Sequence, residues 1–412
     1  MKVRELTVTN FRGFAGERRF QLSERFTVIA GINGRGKSSL LDGLALLLAR
    51  LLRALSLSAG RGRTISAIDV HAGQAEAALA MQVSCAGIPV KYDVAFSPTS
   101  QRVRARGLAS AVREQIRKNY GDPTREDDQA PVAVYFTTDR AGYRLPRTLP
   151  ADLPTGQRLA HHGALSNRMV DYRDFMARYR LWVRHQSAEL AAFNRVLSKF
   201  LDGFTEVAVE EGPLRLTVKK ADARFSLQQL SDGERAFIAL LGDLVRRLAL
   251  ANPELEDPLL GHGVVLIDEL ELHLHPRWQR EVVEKLRNSF PNIQFIATTH
   301  SPFIIQSLRP GELITLDPEE FGEYANRSVE DIAEHVMGVR VPQKSERYLE
   351  MMKVAEEYYR LVQRPGSSAK TIGEVEDRLN ALSVRFSDDP AFMALLKFEY
   401  EAKKAEADNE AS

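Results

Sequence analysis

Residues 1–30 are patterned for strands. Val3–Thr9 alternates with a period of two, Asn10-Phe11-Arg12-Gly13-Phe14 reads as a turn, and Arg18–Leu22 leads to the unbroken apolar run Phe26-Thr-Val-Ile-Ala30 expected of a buried strand. From Ser39 the spacing turns helical and holds to about Leu57, where Ser-Ala-Gly-Arg-Gly-Arg breaks it. Alternation returns at Ala77–Ser84 and Val90–Phe96, predicting an antiparallel hairpin around Ala86-Gly87-Ile88-Pro89. Region 100–130 is polar and arginine-rich (Arg102, Arg104, Arg106, Arg113, Arg117, Arg125); it predicts a solvated helix face, with an anion-binding surface as the alternative.

Pro131–Phe136 is a compact apolar strand, and 142–165 reads as loop. Helical spacing over 168–201 gathers Phe175, Tyr179, Leu181, Trp182, Leu190, Phe193, Val196 and Phe200 on one face, which predicts core between packed helices rather than a base-stacking platform. Val207–Glu210 and Leu214–Lys219 form a second hairpin pattern, and Phe225 restarts regular structure. Strand and helix patterns then alternate: Val264–Ile267 and Pro276–Phe290, Gln294–Thr298 and Pro302–Leu308, then Glu312–Thr315. That order predicts an α/β fold with a mostly parallel sheet and crossover helices. Beyond 328 the chain is polar and helical, ending in a charged tail, Glu401–Ser412, with no internal repeat or sustained heptads.

Composition narrows the picture only a little. At 412 residues, 44% hydrophobic and 27% charged, the chain is a globular protein of more than one lobe, and a net charge of +1 gives no global basic field for nucleic acid. Its single cysteine, Cys85, excludes an intramolecular disulfide framework and a Cys-rich zinc site, and its strand context predicts core filler. No apolar signal core opens the chain and no run reaches the ~20 residues of a membrane helix, so a cytoplasmic protein with no membrane partner is expected.

The chemistry concentrates in a few stretches. Gly31-Ile-Asn-Gly-Arg-Gly-Lys-Ser38 fits G-x-x-x-x-G-K-[ST] and lies between a strand and a helix, the context a phosphate cradle needs. Gly31, Gly34 and Gly36 let backbone N–H groups turn inward, Lys37 places a cation near the β/γ-phosphates, and Ser38 offers a hydroxyl to Mg²⁺. Val264-Val-Leu-Ile-Asp-Glu269 ends a strand in adjacent carboxylates, with Asp268 placed to hold Mg²⁺ and Glu269 to deprotonate the attacking water. In Leu230-Ser-Asp-Gly-Glu234 a capping box accounts for Ser231 and Glu234 but not for Gly233, whose helix start could offer N–H groups to a phosphate. Ile296-Ala-Thr-Thr-His300-Ser-Pro302 puts His300 at a strand end where it could meet the γ-phosphate. Glu271-Leu-His273-Leu-His275 lacks a third ligand at metal-site spacing.

In chain order GINGRGKS, LSDGE, VVLIDE, ELHLHP and TTHSP resemble the Walker A, signature, Walker B, D-loop and switch-histidine motifs of ABC-type ATPases, in the branch of RecF- and SMC-like proteins. The opening Val-Thr-Asn-Phe-Arg-Gly-Phe is similar to that branch too, and by this resemblance Asn10 and Arg12 lie near the nucleotide. Long heptads between cradle and signature, and a Toprim-like acidic cluster, are lacking, while the overall length and the final part, Ser328-Val-Glu-Asp-Ile-Ala-Glu-His-Val-Met-Gly-Val followed by helices to Asp388-Asp-Pro390, look most like the PtuA-type ATPases of Septu and retron anti-phage systems. The resemblance implies an ABC-ATPase-like fold, a mixed sheet with flanking helices. It divides the chain into an N-terminal lobe (1–145), a helical insertion or lid (146–222), a C-terminal lobe (223–327) and a helical partner-binding region (328–412).

It further implies ATP and Mg²⁺ as cofactors. Asn10, Arg12, Asn33, Gly34, Gly36, Lys37, Ser38 and Ser39 would bind the nucleotide in one subunit, and Ser231 and Gly233 would close on it from another. Ser38 and Asp268 would hold the metal, and Glu269, His300 and Lys37 would carry catalysis. Arg140 falls where such families place a loop coupling nucleotide to lid, although the usual glutamine is not evident. A head-to-tail dimer or higher oligomer is implied, acting on a separately encoded effector such as an HNH-type nuclease, with DNA or RNA contact open. The rival readings are a RecF-like DNA-repair ATPase binding duplex DNA through the arginines at 102–125, and a slowly hydrolysing nucleotide-bound scaffold.

Overall fold

The computed structural model describes residues 1–58, 63–120, 129–142, 145–166, 170–316, 327–337, 346–363 and 368–383. The N-terminal alternation forms β1 (Lys2–Phe11) and β2 (Phe14–Gln21), joined by a turn in which Asn10 and Arg12 adopt left-handed backbone (φ 48° and 50°). β3 (Phe26–Ala30), buried at every position, runs into the glycine loop from which α1 (Lys37–Ala54) starts. β4 (Ala77–Cys85), β5 (Ile88–Ser97) and β6 (Arg102–Arg106) complete an antiparallel sheet in the order β2-β1-β4-β5-β6. Leu6, Val8, Leu79, Met81 and Val94 bury one face of it, and Gly43 of α1 brings that helix against Leu79 and Phe11. The opposite face carries Thr7, Ala78, Ala80 and Ala95, all half-buried.

Region 100–130 departs from the helix expected of it. Arg102-Val-Arg-Ala-Arg alternates with period two, so Val103 packs on the core while the arginines face solvent along an edge strand, where charge discourages further pairing. Among the described residues of this region only α2 (Ser110–Tyr120) is helical, and Arg125 lies outside them.

β7 (Val132–Phe136) precedes α3 (Tyr172–His185) and α4 (Ala188–Phe200). Phe193 sits 5.5 Å from Phe175 and 5.7 Å from Tyr179 between ring centroids, so the aromatic face is core. Leu181 is the exception at 37% exposure, because it turns to the outer side of α3. The segment expected as a helical lid also holds a hairpin, β8 (Phe204–Glu211) and β9 (Leu214–Lys220), which β10 (Ala223–Ser226) extends to three antiparallel strands. α5 (Asp232–Ala251) packs on α3 and α4. Its buried Asp243 accepts from Arg246 and Arg247 (2.5 and 2.6 Å), and Arg246 reaches Asp174 of α3 at 2.6 Å.

β11 (Gly263–Ile267), α6 (Pro276–Ser289), β12 (Ile293–Thr299), α7 (Pro302–Gln306) and β13 (Leu313–Thr315) follow in the order expected. The α/β expectation holds: β13-β3-β12-β11-β7 form one five-stranded sheet, parallel throughout, beside the antiparallel ones. Buried Gln294 ties the first sheet to the parallel one. Its Oε1 accepts from the Val3 amide (2.7 Å) while its Nε2 donates to the carbonyls of Val3 (2.6 Å) and Ser23 (2.7 Å). α8 (Val329–His335) packs Ile332, with Val336 just beyond it, against Ala30 and Ile305. Residues 339–412 are a second compact unit in which α9 (Glu346–Gln363) and α10 (Ala369–Ser383) pack together. The segment through Asp388–Pro390 and the charged tail lie outside the described residues.

Candidate functional site

Because β3, β12 and β11 are adjacent and parallel, their carboxyl ends deliver the glycine loop, the His300 segment and the Asp268-Glu269 pair to one edge of the sheet. In the loop Gly34 and Gly36 take φ of 82° and 95°. Gly36 is required twice over, since a Cβ there would also meet the Phe14 ring at 2.8 Å. Asn33 and Gly34 are exposed at the tip, and Ser39 is half-buried. Buried Lys37 donates its Nζ to the carbonyls of Gly31 (2.7 Å) and Ile32 (3.0 Å), curling the loop over the start of α1. No side chain caps that helix, so its first amides face the loop as an anion site.

Ser38 Oγ donates to Asp268 Oδ1 at 3.0 Å, joining residues 230 positions apart. The same carboxylate oxygen accepts from Thr298 Oγ1 at 2.6 Å, and Thr298 in turn accepts the Glu269 amide at 2.7 Å. Hydroxyl and carboxylate oxygens converging here form a donor set that suits a hard divalent cation such as Mg²⁺. Glu269 is half-buried with φ 47°, and the next turn is held by Glu271, which accepts from Thr299 Oγ1 (2.7 Å) and the His300 amide (2.5 Å). Thr298 belongs to this network although motif reasoning passes over it; its signal is a hydroxyl fully buried near the end of a strand, beside Thr299.

The remaining expected residues are placed as follows. Arg12 pairs with Asp42 of α1 (2.6 Å) and with buried Asp69 (2.9 Å), so it braces the helix that carries the cradle. Asn10 Oδ1 accepts the Gly16 amide at 2.9 Å and closes its own turn. Ser231 and Glu234 form the reciprocal capping box, and Lys220 adds a 2.6 Å bond to Glu234. Gly233 has a packing reason: a Cβ would lie 2.4 Å from the His273 carbonyl, so the loop after β11 rests directly on the start of α5. His275 caps α6 by accepting the Arg277 amide, and His273 lies 4.0 Å from Asp232. Arg140 is buried rather than turned toward a lid, donating to the carbonyls of Asp268 (2.6 Å) and Glu269 (2.5 Å). Burial pulls its guanidinium down to about 10, against the pull of Glu271, Asp268 and Glu269, so it stays charged at neutral pH.

Residues 98–306, half of the chain, match the family described as "AAA domain, putative AbiEii toxin, Type IV TA system". The chain is an ATPase of this AAA-domain family. Residues 5–142, which include the glycine loop, match a second AAA-domain model. The chain is 27% identical to the "Retron Ec83 probable ATPase" of Escherichia coli over all of its own length and 88% of the relative's. It is 30% identical to the "Septu protein PtuA" of Bacillus mycoides over 57% of this chain, which spans only 32% of that protein. These are the relatives to which the motif resemblance pointed. Among solved structures, the SMC head domain from Thermotoga maritima is matched over 76% of this chain and 94% of that one, at 16% identity and TM-score 0.44. No helix among the described residues is long and apolar enough to cross a membrane.

Proposed function

We propose that the edge of the parallel sheet binds and hydrolyses ATP, and that hydrolysis times the opening and closing of an assembly of subunits. The Ser38–Asp268 contact carries the reading, because it brings the cradle and the acidic strand end into one site. Loop amides of Asn33–Ser39 and Lys37 hold the phosphates, and Ser38 with Asp268 holds Mg²⁺, which when bound screens the phosphate charge. In this reading Glu269 takes the proton of the attacking water and His300 hydrogen-bonds the γ-phosphate. Ser231 and Gly233 start α5 against the loop after β11, which supports their acting on a nucleotide held by a second copy. Retron and Septu relatives support a role in anti-phage defence, with the ATPase controlling a separately encoded effector, a nuclease in our reading.

Replacing the base while keeping its shape tests this. Glu269→Gln is expected to bind ATP as the wild type does, to lose at least about 100-fold in turnover, and to elute as an ATP-dependent dimer or larger species in size-exclusion chromatography with light scattering. Wild-type turnover in that variant would remove Glu269 from the mechanism. A monomer with and without ATP would remove the assembly.

A further inference from the structure

The turn that carries Glu269 is conformationally costly. A side-chain-bearing residue at φ 47° lies in the left-handed region, where a residue other than glycine is strained by about 1 kcal/mol. Glycine would relieve the strain but would remove the carboxylate. The turn is therefore held from outside. On one side Thr298 accepts the Glu269 amide and its own carbonyl accepts the Leu270 amide at 2.9 Å. On the other, Arg140 reaches over from the short turn Thr138–Ala141 after β7 and grips two successive carbonyls, those of Asp268 and Glu269.

We propose that Arg140 is a positioning residue for hydrolysis, fixing the peptide planes on either side of Glu269 so that its carboxylate is aimed at the water. The proposal rests on the reading of Glu269 as the base. A planar guanidinium serves two acceptors at a fixed separation, which the single point charge of lysine does not. At 4% exposure Arg140 is unavailable to phosphate oxygens, so it acts through the turn and not on the nucleotide. Its charge also stands among the carboxylates of Asp268, Glu269 and Glu271, and losing it takes a donor from the Asp268 carbonyl and leaves the Glu269 carbonyl with the Leu272 amide alone (2.9 Å). A base displaced by about 1 Å costs on the order of 100-fold in rate.

The test separates rate from affinity. Arg140→Met is expected to lower the single-turnover rate about 100-fold while ATP affinity changes less than about threefold, and Arg140→Lys, which keeps the charge and one contact, should recover about tenfold of the loss. In a Glu269→Gln background Arg140→Met should slow the residual rate no further, because the group it positions is already gone. An equal further loss there, a parallel loss of ATP affinity, or an unchanged rate in Arg140→Met while Glu269→Gln is inactive would each overturn the proposal. A fully active Glu269→Gln would instead overturn the base assignment, and this proposal with it. Should Arg140→Met lack a cooperative melt, Arg140→Lys carries the test alone, and a wild-type rate in that variant refutes the positioning role.

Discussion

The parallel and antiparallel five-stranded sheets of this chain put their backbone ladders to opposite ends. β3, β7 and β11 are buried at every position and β12 is buried throughout, so these four strands of the parallel sheet hold few polar side chains, Thr27 and Gln294 among them, before the ends where they stop. Its chemistry therefore collects at one edge, from residues as far apart as Ser38 and Asp268. The antiparallel sheet buries one face only, and its charges are spread along β2 and β6 instead. Polar side chains at the ends of the first sheet converge on one site from distant segments; those of the second pair with neighbours on adjacent strands, as Gln21 and Gln82 do in donating to Glu5.

The sharpest test of that contrast is Lys37→Ala, which removes a buried cation from the loop and should weaken ATP binding about 100-fold or more by calorimetry. Undiminished affinity would mean that the edge of the parallel sheet is not where the nucleotide sits. Thr298→Val is a subtler cut, isosteric yet unable to bond Asp268 or the Glu269 amide. It should cost about 30-fold in turnover, at about 1 kcal/mol for each of the two bonds lost. A turnover within twofold of wild type would show that the strand-end network is decorative. At the small end, replacing Arg102, Arg104 and Arg106 together by serine should change ATP turnover by less than about twofold, since exposed charges on an edge strand contribute little to the fold. A tenfold loss would erase the distinction between the sheets. If duplex-DNA binding falls with the triple change and its salt slope flattens, the repair reading gains the ground that the defence reading holds.

Much of this was legible in the residues. The cradle, the acidic strand end and the β11–α6–β12–α7 alternation announce themselves, because apolar runs ending in glycine, Asp-Glu or His-Ser-Pro admit few other placements. What the pattern misread was local competition. Arg102–Arg106 has a strand's alternation, but its arginines suggested a solvated helix, and pairing with β5 decided the matter. Approximate helical spacing groups Leu181 with the aromatic face, but at 37% exposure it lies on the outer side of α3. Arg140, Thr298 and the purpose of Gly233 were hidden for another reason: each acts on backbone supplied by a distant segment, and one-dimensional spacing carries no trace of such a contact.

The amide of Gln294 holds the backbone at residues 3 and 23 at once. Because the fastening is uncharged and shut away from solvent, neither acidification nor added salt loosens it, unlike the ion pairs that line the outside of the molecule. The frame that carries the carboxyl edge of the parallel sheet thus keeps its alignment through changes of medium, leaving motion to parts of the chain that are not pinned in this way.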